Sequence, residues 1–140
     1  MKFKSITMEN FMRYKGVNTI EFSCDPGKNV TVVLGDNTVG KTTIAQAFRF
    51  GLYGAVNMEK WKNADDYQLL NNDVLAFMDA DSKAAVSVTI VAADEEKQYT
   101  ICRKTIYSRN YPQMTCREFQ KKVSMKIADL QAPDVVTEVD

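Results

Sequence analysis

Two glycines, one lysine and three threonines lie in a single stretch of nine residues. The stretch, Gly35-Asp36-Asn37-Thr38-Val39-Gly40-Lys41-Thr42-Thr43, fits the phosphate-binding pattern G-x-x-x-x-G-K-[ST]. Glycines allow consecutive backbone N–H groups to turn inward around phosphate oxygens. We expect Lys41 to act as the catalytic lysine on the β- and γ-phosphates, and the Thr42 hydroxyl to bind Mg²⁺. All nine residues are therefore candidates for binding ATP.

The segments on either side of this stretch fit the same motif. Upstream, residues 29–34 form a mostly β-branched run that is typical of a buried strand. Downstream, apolar residues recur at helical spacing and predict a helix from Lys41 to Tyr53 with Gly54 as its cap. The positions expected to be buried in this helix are Ile44, Ala47, Phe48 and Leu52. An ordinary strand–turn–helix junction is the alternative, but it does not explain why a lysine follows the second glycine.

Length and composition limit the number of domains and the possible partners. The chain has 140 residues, 45% of them hydrophobic, which is enough for one domain with a core. Its 18 basic and 18 acidic residues cancel, so overall charge favours neither nucleic acid nor membrane. It contains no long apolar run and no signal-peptide pattern, which indicates a cytoplasmic protein without membrane contact. With no histidine present, Cys24, Cys102 and Cys116 are expected to be reduced thiols rather than zinc ligands.

The N-terminal residues predict short strands separated by turns. Alternating apolar residues indicate a strand over residues 2–10 and a second, antiparallel strand over residues 19–22, with a turn at residues 13–16. Residues 25–28, Asp-Pro-Gly-Lys, are typical of a tight turn. Together with residues 29–34, three strands are predicted before the phosphate loop.

The remainder is predicted to be an irregular lobe followed by antiparallel strands. Residues 59–81 mix apolar and polar pairs, which favours an irregular lobe with one short helix. From Ala84 the period becomes two, with one strand carrying Val86, Val88 and Ile90 and the next running from Tyr99 to Tyr107. A turn at residues 94–97 joins them. Further strand-like sequence covers residues 114–127, and the tail from Ala132 has no clear pattern.

Residues 1–54 resemble the N-terminal half of ATP-binding-cassette heads of the SMC, SbcC and RecF kind, with the DndD group associated with DNA phosphorothioation as the nearest likeness. The shared features are a first strand ending in Asn10-Phe11, a second ending near Phe22, the phosphate loop, and Leu52-Tyr53-Gly54 at the helix end. The implied fold class is α/β, a P-loop NTPase lobe with an antiparallel β subdomain beside the P-loop strand and helix. Residues 1–140 would then be a single partial domain, followed by a coiled coil and a C-terminal half.

Two positions depart from the family pattern. Thr38 stands where members commonly have glycine, and Met12 stands where many carry a basic residue after Asn-Phe. Arg13 follows one position later, so a nucleotide-contacting role carries over to Arg13 only as a candidate. A solvent-exposed turn residue is the alternative for Arg13.

The resemblance also implies parts that this stretch of sequence lacks. A complete site needs a Walker B acidic pair, a Ser-Gly-Gly signature loop from a second head, and a switch histidine. No glycine follows Gly54 and no histidine occurs, which implies that a C-terminal half and a second copy complete the site. Residues 74–79 imitate a Walker B strand, but their leucine, alanine and methionine content favours another structure. Gln113, Gln120 and Gln131 are unresolved candidates for the Q-loop.

A basic segment suggests a further partner. Residues 97–126 contain a single acid, Glu118, and eight basic residues: Lys97, Arg103, Lys104, Arg109, Arg117, Lys121, Lys122 and Lys126. Such a segment can follow the phosphates of DNA, but a solvated sheet face is the alternative. Residues 59–96 carry nine acids against three bases and could instead form a protein-binding surface.

The resemblance therefore implies the ATP-binding half of a DNA-associated, SMC-like ATPase head, with ATP and Mg²⁺ as cofactors and a nuclease or other pathway protein as a further partner. In the assembled protein it would hydrolyse ATP, with hydrolysis coupled to head dimerisation. The alternatives are a stand-alone phosphate-loop switch or kinase, and a nucleotide-binding module without hydrolysis. A kinase would need its base and lid within this chain, and neither is recognisable in the sequence.

Overall fold

Six strands form an antiparallel sheet in the computed structural model, which describes residues 1–36, 40–56 and 69–139. The elements in chain order are β1 (Lys2–Glu9), β2 (Val17–Glu21), α1 (Lys41–Tyr53), α2 (Asn72–Ala76), β3 (Lys83–Ala93), β4 (Lys97–Arg109), β5 (Cys116–Asp129) and β6 (Val136–Val139). The order across the sheet is β2-β1-β3-β4-β5-β6. Among the described strands, β1 and β3 are the one pair of neighbours that are not consecutive in the chain. β2 and both helices lie between them in the sequence.

The predicted strand pairs are confirmed. β1 pairs antiparallel with β2, and β3 pairs with β4 across the turn at residues 94–97. Val86, Val88 and Ile90 are buried on one face of β3, as their alternation predicted. The register places Ile90 opposite both Ile6 of β1 and Ile101 of β4, which builds the apolar face of the sheet. The tail, which carried no pattern, forms β6 at the sheet edge.

The strand predicted over residues 29–34 is wrong. These residues have no regular structure, and the exposed fractions of Val30, Val32 and Leu34 are 76%, 71% and 88%. A strand needs a neighbour for its backbone groups, and no described strand pairs with this segment. The described fold is therefore an antiparallel sheet with two helices, without the P-loop strand of the predicted α/β lobe.

The first helix is confirmed from Lys41 to Tyr53, but the predicted buried face is only partly right. Thr43, Ala47, Phe50 and Gly51 are the buried positions, whereas Ile44, Phe48 and Leu52 are half-buried. Gly51 lies against β3, so the buried face of the helix is the face that carries Gly51. Phe48 instead packs at the flank, with ring-centroid distances of 5.1 Å to Phe3 and 5.7 Å to Phe22.

The irregular lobe is described only in part. Residues 57–68, including Trp61 and Tyr67, lie outside the described residues. Residues 72–76 form the short helix α2, so the segment imitating a Walker B strand begins in a helix rather than a strand. No helix in the described ranges combines the length and the apolar character that crossing a membrane requires. Within the same ranges the three cysteines are thiols and form no disulfide.

Candidate functional site

The N-terminus of α1 has two features that the phosphate-loop motif predicts, a left-handed glycine and an open helix start. Gly40 is the residue before the helix and adopts the left-handed conformation, with φ 99° and ψ 17°. A non-glycine residue is strained at this φ, so the second glycine of the motif has a structural reason. Among the described residues no side chain caps this helix start, and its first turn contains no acidic residue. Its first N–H groups, at the positive end of the helix dipole, are therefore suited to an anion.

The side chains of the first turn point to different environments. Lys41 is half-exposed and Thr42 is exposed, whereas Thr43 is buried with 5% of its surface accessible. The Thr42 hydroxyl is therefore the accessible oxygen of the two threonines, which fits its expected role as a ligand for Mg²⁺. Thr43 is buried, so its predicted role in phosphate binding would fall to its backbone N–H. The donor set of one ammonium, one hydroxyl and uncapped amides fits Mg·ATP.

The first half of the loop is described only up to Asp36. Gly35 and Asp36 are exposed and irregular, and Asn37, Thr38 and Val39 lie outside the described residues. Their roles in nucleotide binding remain predictions. The same holds for the substitution of Thr38 for the usual glycine.

Tyr14 contacts the loop at Gly40. Its hydroxyl donates to the Gly40 carbonyl oxygen at 3.3 Å, and a Cβ atom on Gly40 would lie 3.3 Å from the tyrosine ring. Partial burial raises the pKa of the Tyr14 hydroxyl, so this group stays protonated and able to donate. The sequence predicted only that Tyr14 lies in a turn, because no local pattern indicates a contact 26 positions away.

The turn that carries Tyr14 is fixed by residues 69–71. The Met12 N–H donates to the Leu69 carbonyl at 2.6 Å, and the Asn71 side-chain amide donates to the Met12 carbonyl at 2.8 Å. Asn10 bonds the Asn71 N–H through its carbonyl and the Gly16 N–H through its side chain. The Asn10-Phe11 pair that follows β1 is thus bonded to the segment Leu69-Leu70-Asn71.

Arg13 is exposed in this turn, next to Tyr14. The contact between Tyr14 and Gly40 brings the turn beside the last glycine of the phosphate loop. This placement is compatible with a nucleotide-contacting role for Arg13, which stays a prediction.

The basic segment is not one continuous surface. Arg109 is buried, with 8% of its surface accessible. Its guanidinium donates to the carbonyl oxygens of Ala76, Met78, Pro112 and Gln113. These bonds use the side chain to hold the β4–β5 turn against the end of α2. Arg109 is therefore a structural residue and must be removed from the predicted DNA surface.

The remaining basic side chains divide between the two faces of the sheet. Arg103 lies on the α1 side and donates to the Gly51 carbonyl oxygen at 3.3 Å, near the negative end of the helix. Lys104 faces the other side and lies directly opposite Lys122 of β5. Two others form exposed ion pairs, Lys121 with Glu118 at 2.8 Å and Lys126 with Glu138 at 2.6 Å. The adjacent residues Arg103 and Lys104 thus lie on opposite faces of the sheet.

The candidate Q-loop glutamines are not brought together with the loop. Gln113 lies in the β4–β5 turn, Gln120 lies in β5, Gln131 follows β5, and all three are exposed. The described residues also contain no cluster of acidic, cysteine or histidine side chains that could hold a metal ion. The arrangement around Gly40 is thus the one candidate for nucleotide chemistry that we find within the described ranges.

A glycine in the left-handed conformation, followed by lysine and threonine at an uncapped helix start, is compatible with a P-loop nucleotide-binding lobe. A comparison with protein families agrees, since residues 5–134 match the model AAA_23, described as an AAA domain. The chain belongs to this family of ATPase domains, which form the N-terminal part of SMC-, RecF- and SbcC-type heads. A search of curated proteins found no match.

Proposed function

We propose that this domain is the ATP-binding lobe of a DNA-associated, SMC-like ATPase whose heads dimerise on ATP. The observation that carries the proposal is the conformation of Gly40 at the uncapped N-terminus of α1. The first-turn amides and the Lys41 ammonium would hold the β- and γ-phosphates, and the Thr42 hydroxyl would hold Mg²⁺. When bound, Mg²⁺ supplies positive charge to the phosphate oxygens.

The exposed segment at residues 30–34 supports the proposal that another part of the same head packs against this lobe. Val30, Val32, Val33 and Leu34 present apolar side chains to solvent immediately before the phosphate loop. Exposed apolar runs of this kind mark interaction surfaces. We propose that the C-terminal half of the head pairs with this segment as a strand and completes the predicted sheet. The coiled coil between the two halves remains part of this proposal.

Hydrolysis and movement are assigned to the assembled protein. Two heads would close on ATP, and closure requires that ATP bind the closed state more tightly than the open one. The base and signature loop would come from the C-terminal half and the second copy. A stand-alone kinase would instead turn over ATP at about 1–100 s⁻¹ without those parts. A signature loop encoded beyond residue 140 would separate the two functions.

The DNA role rests on the resemblance and on charge. Lys104 and Lys122 are cross-strand neighbours, which concentrates positive charge on the sheet face away from α1. Phosphate groups of DNA would be favoured there. A solvated sheet face remains the alternative. The link to DNA phosphorothioation, to phage defence and to a partner nuclease rests on the likeness to the DndD group alone.

The nucleotide assignment is tested by Lys41→Ala in the full-length protein. We expect loss of Mg·ATP binding by calorimetry with an unchanged melting temperature, because a half-exposed point charge is removed and no core contact is lost. The matched control is Lys28→Ala, which removes an exposed lysine from the turn at residues 25–28. Unchanged ATP affinity in Lys41→Ala would contradict the assignment.

A further inference from the structure

We propose that Tyr14 is a positioning residue for phosphate binding, which holds Gly40 and the first turn of α1 in the conformation that receives the phosphates. The inference rests on the proposed function of this site and deepens it. Tyr14 makes both a hydrogen bond to the Gly40 carbonyl and a ring contact with the Gly40 backbone. Both contacts are made with Gly40, the second glycine of the phosphate motif.

Glycine reaches the backbone conformation of Gly40 without strain, but it has no side chain to hold that conformation. Its φ of 99° lies in the left-handed region, and glycine is otherwise free to leave that region. As the residue before the helix, Gly40 already accepts the first intrahelical hydrogen bond at its carbonyl. The Tyr14 hydroxyl gives the same carbonyl a second donor from outside the helix. Rotation of the Gly40 peptide would break the bond to Tyr14 as well as the first helical bond.

Tyr14 is itself held in place by contacts that lead back to α1. Its N–H donates to the Phe11 carbonyl at 2.9 Å, and the Phe11 ring packs on Phe50 of α1 at a centroid distance of 5.6 Å. Phe11 is fully buried. The turn is thus attached to one end of the helix through Phe50 and to the other through Gly40. This gives Tyr14 a fixed position from which to constrain the loop.

The chemical prediction is that Tyr14 acts on phosphate rather than on the base. A residue that shapes the loop backbone should affect ATP and inorganic tripolyphosphate by the same factor, because both place phosphates against the first turn of α1. A residue that stacks on adenine should affect ATP only. The two ligands therefore separate the two roles.

The experiment compares Tyr14→Phe and Tyr14→Leu with the wild type in the full-length protein, using ATP and tripolyphosphate with Mg²⁺ in calorimetry. The control Tyr53→Phe removes a hydroxyl from an exposed tyrosine at the other end of α1. We expect Tyr14→Phe to weaken both ligands about 2- to 10-fold, the range for one hydrogen bond, with an unchanged melting temperature. Tyr14→Leu, which also loses the planar ring, should weaken both ligands further. Tyr53→Phe should bind as the wild type does.

Every other outcome either supports the positioning role of Tyr14 or overturns it. A loss confined to Tyr14→Leu, at an unchanged melting temperature, supports positioning through the ring contact. Wild-type affinity in both Tyr14 variants, or a loss for ATP alone, overturns the proposal. So does a loss in Tyr14→Phe that comes with a lower melting temperature. If the wild type binds neither ligand and Lys41→Ala changes nothing, the proposed function itself fails, which is a different result.

Discussion

Gly51 of α1 lies directly against Ile90 of β3. A Cβ atom on Gly51 would stand 2.6 Å from Ile90 Cδ1 and 3.1 Å from Val88 Cγ1. Such distances are below van der Waals contact, so the helix approaches the sheet more closely than any side chain at this position allows. Because α1 begins directly after Gly40, this contact also helps to fix where the predicted phosphate-binding end of the helix lies.

We predict that Gly51→Ala destabilises the domain although alanine is the better helix former. The gain in helix propensity is about 1 kcal/mol, whereas overpacking a core typically costs about 1–3 kcal/mol, so the net effect should be a modest loss. Urea unfolding measures the change. The matched control is Gly27→Ala, whose added Cβ meets only Asp25 Oδ1 at an ordinary 3.5 Å. Equal stability of the two variants would contradict the close approach.

A second prediction concerns Asn71, which is buried and bonds in two directions. Its Oδ1 accepts from the N–H groups of Asp73 and Val74 at the start of α2, and its amide donates to the Met12 carbonyl. Asn71→Ala should cost about 1–2 kcal/mol for the lost cap and about 1–3 kcal/mol for the unsatisfied Met12 carbonyl.

Asn71→Asp is the informative partner of that variant. It keeps the accepting oxygen for the cap but cannot donate to the Met12 carbonyl. We expect it to be less stable than the wild type in urea unfolding even though α2 is still capped. Wild-type stability in Asn71→Asp would show that the bond to Met12 contributes nothing.

A third prediction concerns the reactivity of Cys116. Burial, with a smaller contribution from the Glu118 carboxylate, raises the pKa of this thiol to about 11. In a Cys24→Ser/Cys102→Ser variant, the rate of alkylation by iodoacetamide should therefore keep rising with pH up to about 11. The same variant in urea should level off near the ordinary value of about 8.5. Mass spectrometry measures both, and a native profile that levels near the urea value would contradict the burial effect.

The sign of the linked stability follows from the same shift. The folded state holds the Cys116 proton more tightly than the unfolded state does. Its contribution to the free energy of unfolding is therefore fully present below the unfolded pKa and is lost as the pH rises through about 11. Cys116→Ser should remove this part of the pH dependence.

A fourth prediction tests the DNA surface by comparing two adjacent residues. In the ATP-bound, full-length dimer, Lys104→Ala should weaken DNA binding regardless of sequence and lower the slope of log K against log salt by about one. Arg103→Ala is the matched control, because its side chain lies on the α1 side and bonds Gly51. A smaller slope in the Arg103 variant alone would move the DNA path to the other face. Unchanged slopes in both would leave the basic segment as a solvated face.

The sequence by itself determined the elements whose conformation depends only on residues nearby in the chain. The motif Gly-x-x-x-x-Gly-Lys-Thr predicted the start of α1 at Lys41, since glycine permits the left-handed conformation found at Gly40. Gly54 was predicted to end the helix, and it does so with a left-handed φ of 77° and an N–H bonded to the Phe50 carbonyl. Alternation in β3 predicted that Val86, Val88 and Ile90 lie on one face, because the side-chain period of a strand is fixed at two.

The tertiary structure decided what depends on neighbours far along the chain. Residues 29–34 have the composition of a strand, yet they form none among the described residues because strand formation requires a paired edge. Arg109 looked like part of a DNA surface until its carbonyl partners placed it inside the turn. Tyr14 reaches Gly40 because Phe11 anchors its turn to α1. Composition and spacing describe a residue's own preferences, whereas pairing, burial and contacts between distant segments arise only when the chain folds.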